Sequence, residues 1–137
     1  MNLHKTAQEL KNQNDFLNTI SKEEITFLIK ACIFELENLQ ILSEEELTQL
    51  NKVILTNEPF NNLYFKYNKE RLNTRGVIFL EEENDLEFMV SVLLYFKFRT
   101  PLMVYLSSDI QNQFYNVFIK VLNDNKASNN FIVKIDA

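Results

Sequence analysis

GVIFLEEENDLEFMVSVLLYFKFRTPLMVYLSSDI, residues 76–110, is the stretch on which the fold turns. Behind Gly76, the single glycine, Val77 to Leu80 form a short apolar run closed by Glu81, Glu82 and Glu83. A run of that length with such a boundary predicts a buried strand. From Leu86 to Phe98 every even position is apolar, which is strand periodicity, but the ends argue for a helix. Asn84, Asp85 and Glu87 open the segment and Lys97 and Arg99 close it, the charge order that complements a helix dipole. A buried helix is therefore expected here. Leu102 to Leu106, after Pro101, reads as a second strand.

The pattern continues on the C-terminal side. Ser108 and Asp109 are helix-capping residues, and Ile110, Phe114, Val117, Phe118 and Val121 mark one face of the helix that follows. Phe131 to Ile135 reads as a third strand. Strands separated by single helices predict right-handed crossovers and a parallel sheet. Residues 76–137 are thus read as a β-α-β-α-β unit.

Residues 1–75 read as helical. Leu3, Ala7, Leu10 and Leu17 form a thin stripe, expected on a surface helix that is loosely attached. Ser21 and Glu24 have capping-box spacing, as do Ser43 and Glu46. After Ser21, Ile25, Leu28, Ile29, Cys32, Leu36 and Leu39 recur on one helical face, and Phe27, Ile33 and Phe34 are read as widening it. After Ser43, Leu47, Leu50, Val53 and Ile54 do the same, and Asn57 and Pro59 end the run. Two capped helices with a short link should pack antiparallel. Phe60, Leu63, Tyr64 and Tyr67 favour a further helix over a strand. The whole is an α/β fold (α+β the alternative), with 1–137 as one domain and a helical half packed on a three-stranded sheet.

Composition narrows the function. The chain has 137 residues, 46% hydrophobic and 24% charged, with twelve Phe and no Trp. That is the profile of a globular domain whose core is filled by large rings. The net charge is −5, and an acidic chain repels nucleic acid while attracting a basic partner. Tyr64, Phe65, Lys66, Tyr67, Lys69, Arg71 and Arg75 do interleave rings and cations, as single-stranded nucleic acid requires. Against the acidic total they are read instead as an amphipathic helix with buried rings. Met1 to Leu10 has no apolar signal core, and Phe88 to Phe96 is too short to span a membrane. A cytoplasmic location is expected. The abundance of Asn, Lys and Ile fits an AT-rich genome, bacterial or viral.

One cysteine, Cys32, and one histidine, His4, cannot make the usual zinc site or a thiol–imidazole pair. Cys32 lies in an apolar run and is read as a buried small hydrophobe. A single glycine builds no ordinary phosphate-cradling loop. Ser107 and Ser108 lack a base. No cofactor or metal is expected, and no enzymatic activity.

In an open parallel sheet, ligands sit beyond the carboxyl ends of the strands. Glu81, Ser107, Asp109 and Lys134 are the residues that such a site would use here, for a small ligand or a reaction. The acidic run from Glu81 to Glu83 also has the composition of an oxygen-ligand cation site, but glutamates before a helix more simply stabilise its N-terminus. The pattern from Gly76 to Ala137 resembles the later half of a two-component receiver domain. In that family an acidic phosphoacceptor closes one strand, Ser or Thr the next, and Lys ends the last. Glu81, Ser107 and Lys134 hold the comparable places. Glu stands for the expected Asp, Ile135 for the proline after the lysine, and residues 1–75 lack the paired acids of an opening strand. The resemblance implies at most a degenerate receiver without phosphotransfer, signalling by dimerisation, with Lys134 directed toward Glu81.

The absence of a catalytic constellation, the acidic total and the many aromatics together favour a protein-binding module. It would act as an inhibitor or regulator, of immunity-protein, anti-defence or adaptor type. Its expected interface is acidic: Glu44, Glu45 and Glu46 with Glu81, Glu82, Glu83 and Asp85. The expected partner is a protein with a basic surface, and a homodimer is compatible with the sequence.

Overall fold

A computed structural model describes residues 3–12, 15–56 and 77–135. Its elements, in chain order, are α1 (Leu3–Asn12), α2 (Asp15–Thr19), α3 (Lys22–Leu39), α4 (Glu44–Leu55), β1 (Ile78–Glu81), α5 (Asp85–Lys97), β2 (Leu102–Tyr105), α6 (Asp109–Asp124) and β3 (Ile132–Ile135). The helix and strand readings proposed for residues 57–76 lie outside the described residues.

The three strands form one parallel sheet in the order β1-β2-β3. Ile78, Leu102 and Ile132 lie side by side, as do Leu80, Val104 and Lys134. Side chains alternate across a strand, so these rows share one face, and all but Lys134 join the main core. The other face carries Val77, Met103 and Ile135 and is packed by Leu10 of α1. A parallel sheet needs both faces covered, and this one has both.

Over the main face lie α5 and α6, the two crossover helices, and over these lie α3 and α4. The middle layer explains the composition of α5. Phe88, Met89 and every residue from Ser91 to Phe96 are buried, because α5 has the sheet on one side and α3 and α4 on the other. A helix apolar all round is the kind that is buried all round. Its strand-like alternation carries no weight against Asn84, whose side chain accepts the Glu87 N–H and starts the helix.

Rings tie the layers together. Phe16 stacks on Phe131, Phe131 on Phe96, and Phe96 meets Phe118 edge-on with centroids 5.4 Å apart. Phe118 stacks on Phe114, which takes Phe88 edge-on. This row joins α2, the entry to β3, α5 and α6.

Capping follows the sequence closely. At α4 both halves of the Ser43–Glu46 box form, whereas at α3 Ser21 accepts the Glu24 N–H. Gln40 takes a left-handed conformation (φ 57°) and turns the chain from α3 into α4, which packs against it.

In the first segment Leu10 and Leu17 are buried, while Lys5, Gln8 and Glu9 are exposed, as on a surface helix. Two expectations need correction. Phe27 and Phe34 do not widen the buried face of α3: they are 55% and 60% exposed. Leu39, placed on that face, is also largely exposed, at the last turn.

Phe118 touches Phe96, Phe114 and Phe131 and is almost fully buried. Phe118→Ala should cost about 3–5 kcal/mol, measured as a lower urea midpoint with an unchanged slope. A loss below about 1 kcal/mol would mean that the ring row is not a core element.

Candidate functional site

The carboxyl edge of the sheet is where the sequence places a site, and the structure fills it with hydrogen bonds. Gln111, fully buried in the first turn of α6, is the centre. Its side-chain carbonyl accepts the Ser107 N–H at 2.9 Å, and its amide nitrogen donates to the Glu82 carbonyl. It thereby joins the chain leaving β1 to the chain leaving β2. Ser107 Oγ lies 3.1 Å from both the Glu82 carbonyl and the Gln111 side-chain oxygen. Ser108 caps α6 by accepting the Gln111 N–H and donates to Asp85 Oδ1 at 2.6 Å. Glu82 in turn accepts the Asn84 N–H.

Sequence reasoning does not find Gln111. A signal exists, since Ser108 and Gln111 have capping-box spacing. The side chain does not turn back on its own cap, however, but spans two strand ends that only the fold makes adjacent.

Of the four proposed edge residues, Ser107 alone belongs to this network. Glu81, Asp109 and Lys134 are exposed. Glu81 pairs with Tyr105 and lies one position beyond the row that holds Lys134. The two therefore sit on the outer strands and on opposite faces of the sheet, so the approach of Lys134 to Glu81 implied by the receiver resemblance is not made. Burial raises the Tyr115 pKa, and the backbone of Lys134 beside it offsets part of the rise. Among the described residues no group of His, Cys, Asp and Glu is arranged to hold a metal ion.

The acidic groups divide in the same way. Glu46 closes the α4 capping box, Glu82 and Asp85 belong to the edge network, and Glu44, Glu45, Glu81 and Glu83 face solvent. Acids in the first turns of α4 and α5 also favour those helices through the dipole. Cys32 is fully buried, and burial, with the nearby charge of Glu35, pushes its thiol pKa up, so it stays protonated and inert. The interleaved rings and cations between Tyr64 and Arg75 lie outside the described residues.

The outer face of α3 carries two exposed rings, Phe27 and Phe34. Phe27, Ala31 and Phe34 have the i, i+4, i+7 spacing of one stripe. The inner face of the same helix, Leu28, Ile29, Cys32 and Leu36, is fully buried. At about 100° per residue, Glu23 and Asn38 continue the outer stripe at its two ends, and Glu24, Lys30, Glu35 and Glu37 flank it. The stripe is thus two exposed rings in a rim that is mainly acidic.

Comparison with protein families, with curated proteins and with solved structures finds no match to this chain. No described helix is long and apolar enough to cross a membrane.

Gln111→Ala leaves the Ser107 N–H and the Glu82 carbonyl without their shared partner. The expected loss is about 2–3 kcal/mol, read from urea unfolding, whereas Ser108→Ala should lose about 1 kcal/mol, the usual worth of an N-cap. A Gln111→Ala protein as stable as the parent would show that the edge is not held by this side chain.

Proposed function

We propose that this protein is a binding module that engages a basic protein surface through the outer face of α3, acting as an inhibitor or regulator and not as an enzyme. The observation that carries the reading is the exposure of Phe27 and Phe34, 55% and 60%, on a helix whose opposite face is wholly buried. A large apolar ring held in water costs free energy that docking recovers, and exposed apolar groups on one face, rimmed by polar ones, mark interaction surfaces. Aromatic residues are enriched in such interface centres, with charged residues at the rim.

The rim gives the sign of the partner. Glu23, Glu24, Glu35 and Glu37 surround the rings, with Lys30 as the opposing charge and Asn38 as a neutral end. Past the turn at Gln40, exposed Glu44 and Glu45 add to the same sign. A basic surface is attracted by this field, and like-signed ones are turned away. The rigid inner face of α3 holds the stripe in place, so little ordering entropy is lost on docking. The acidic residues Glu81 and Glu83, grouped in the sequence with the expected interface, then serve as peripheral charge.

The test is capture from a lysate of the source cell at two salt concentrations, with the parent chain and with Phe27→Ala/Phe34→Ala. Both positions are exposed, so the double variant should keep its stability within about 1 kcal/mol. The parent should retain one basic protein in stoichiometric amount, less of it at high salt. The variant should bind it at least about thirtyfold more weakly, as expected for two anchor rings worth about 1 kcal/mol or more each. Equal capture by the variant, or self-association abolished by the same substitutions, would contradict a basic partner at this face.

A further inference from the structure

At the end of the molecule away from the edge network, three cations surround one cleft. Lys22, Lys97 and Arg99 line it together with Ile25 and Phe98, and its volume is about 360 Å³. Among the described residues that line it there is no carboxylate, although the chain as a whole carries a net charge of −5.

Two of the cations are already fixed by the fold. Lys97 Nζ donates to the carbonyls of Val53 and Ile54, at 2.9 and 2.6 Å, and so caps the end of α4. Arg99 Nη1 donates to the carbonyls of Leu17 and Ile20, at 2.7 and 2.6 Å, at the end of α2. An ammonium has three donors and a guanidinium five, so among the described residues one N–H of Lys97 and the Nε and Nη2 donors of Arg99 are left over. Carbonyl dipoles at a helix end offset only part of a full positive charge. Lys22 opens α3 at the rim of the same cleft, close enough to Lys97 for the two charges to repel. Burial first, and Lys22 second, lower the Lys97 pKa. The cost of positioning these donors is therefore met in the folded protein before any ligand arrives.

We infer that this cleft binds a small phosphorylated molecule, the phosphate held by Lys22, Lys97 and Arg99 and a compact apolar body lying against Ile25 and Phe98. A dianion matches three cations lining one cleft better than a single carboxylate does. Arg and Lys together supply the fork and the point charge used for phosphate. The volume lies within the range of small-molecule pockets and leaves room beside the phosphate. The site is separate from the outer face of α3 and does not depend on the partner proposed there.

Phenyl phosphate is a suitable probe, titrated into the ¹⁵N-labelled full chain at low ionic strength. Saturable shifts are expected at the amides of Lys22, Thr26 and Arg99. Sodium chloride at equal ionic strength should not reproduce them. Lys22→Gln removes the cation that caps no helix end among the described residues, so the fold and its melting temperature should persist while binding weakens about two- to fivefold, the worth of one exposed charge pair. Shifts that never saturate, that sodium chloride matches, or that Lys22→Gln leaves unchanged would overturn the inference.

Discussion

Phe96 stacks on Phe131 with ring centroids 5.1 Å apart and takes the edge of Phe118 at 5.4 Å. These three rings come from α5, the entry to β3 and α6, and each is almost fully buried. They are where the sheet, the middle helical layer and, through Phe16, the N-terminal segment meet. A three-stranded sheet of four-residue strands has little stability of its own. What makes it stable is α5, which buries apolar side chains on every side and so serves both as the cover of the sheet and as the support of α3 and α4.

From that packing comes the polarity of the molecule. Because α5 leaves the carboxyl edge of the sheet and returns to its amino edge, its acidic first turn and basic last turn lie at opposite ends. Lys97 caps α4 as well as ending α5, so these two helices end together. Glu44, Glu45, Glu82 and Asp85 consequently gather toward one end, and Lys22, Lys97 and Arg99 toward the other. At the acidic end much of the charge is spent on capping and on the Gln111 network. At the basic end, among the described residues, donors of Lys97 and Arg99 are left over. Meanwhile α3, held by its inner face, presents Phe27 and Phe34 outward. One arrangement of helices thus yields a candidate protein-docking face and a candidate anion cleft that share no residue.

The strands and helices of residues 77–135 are legible because their signals are local. Short apolar runs with sharp boundaries mark the strands, and Asn84, Ser108 and the charges around Leu86 to Phe98 mark the helices. Ser43 with Glu46 behaves as its spacing requires. The errors arise where an answer depends on the rest of the fold. Phe27 and Phe34 are apolar at helical spacing, and reading them as core ignores their position on the wheel, roughly opposite Leu36. Lys97 and Arg99 read as complements to their own helix. Their head groups instead reach the ends of α4 and α2, which are distant in sequence. Gln111 has a visible spacing, but its partners, Glu82 and Ser107, become neighbours only once β1 and β2 pair. Glu81 and Lys134 both stand at strand ends, and the one-position difference in register that puts them on opposite faces cannot be read before the strands are aligned.

Native-state hydrogen exchange, followed residue by residue, tests most directly whether α5 and its rings hold the layers together. The amides of Val92 to Phe96 should exchange only through global unfolding, with the opening free energy obtained from urea denaturation, while the N-terminal helix α1 opens more readily. If the α5 amides exchanged through a smaller opening while those of α3 and α6 stayed protected, the buried helix would not be the element on which the others depend.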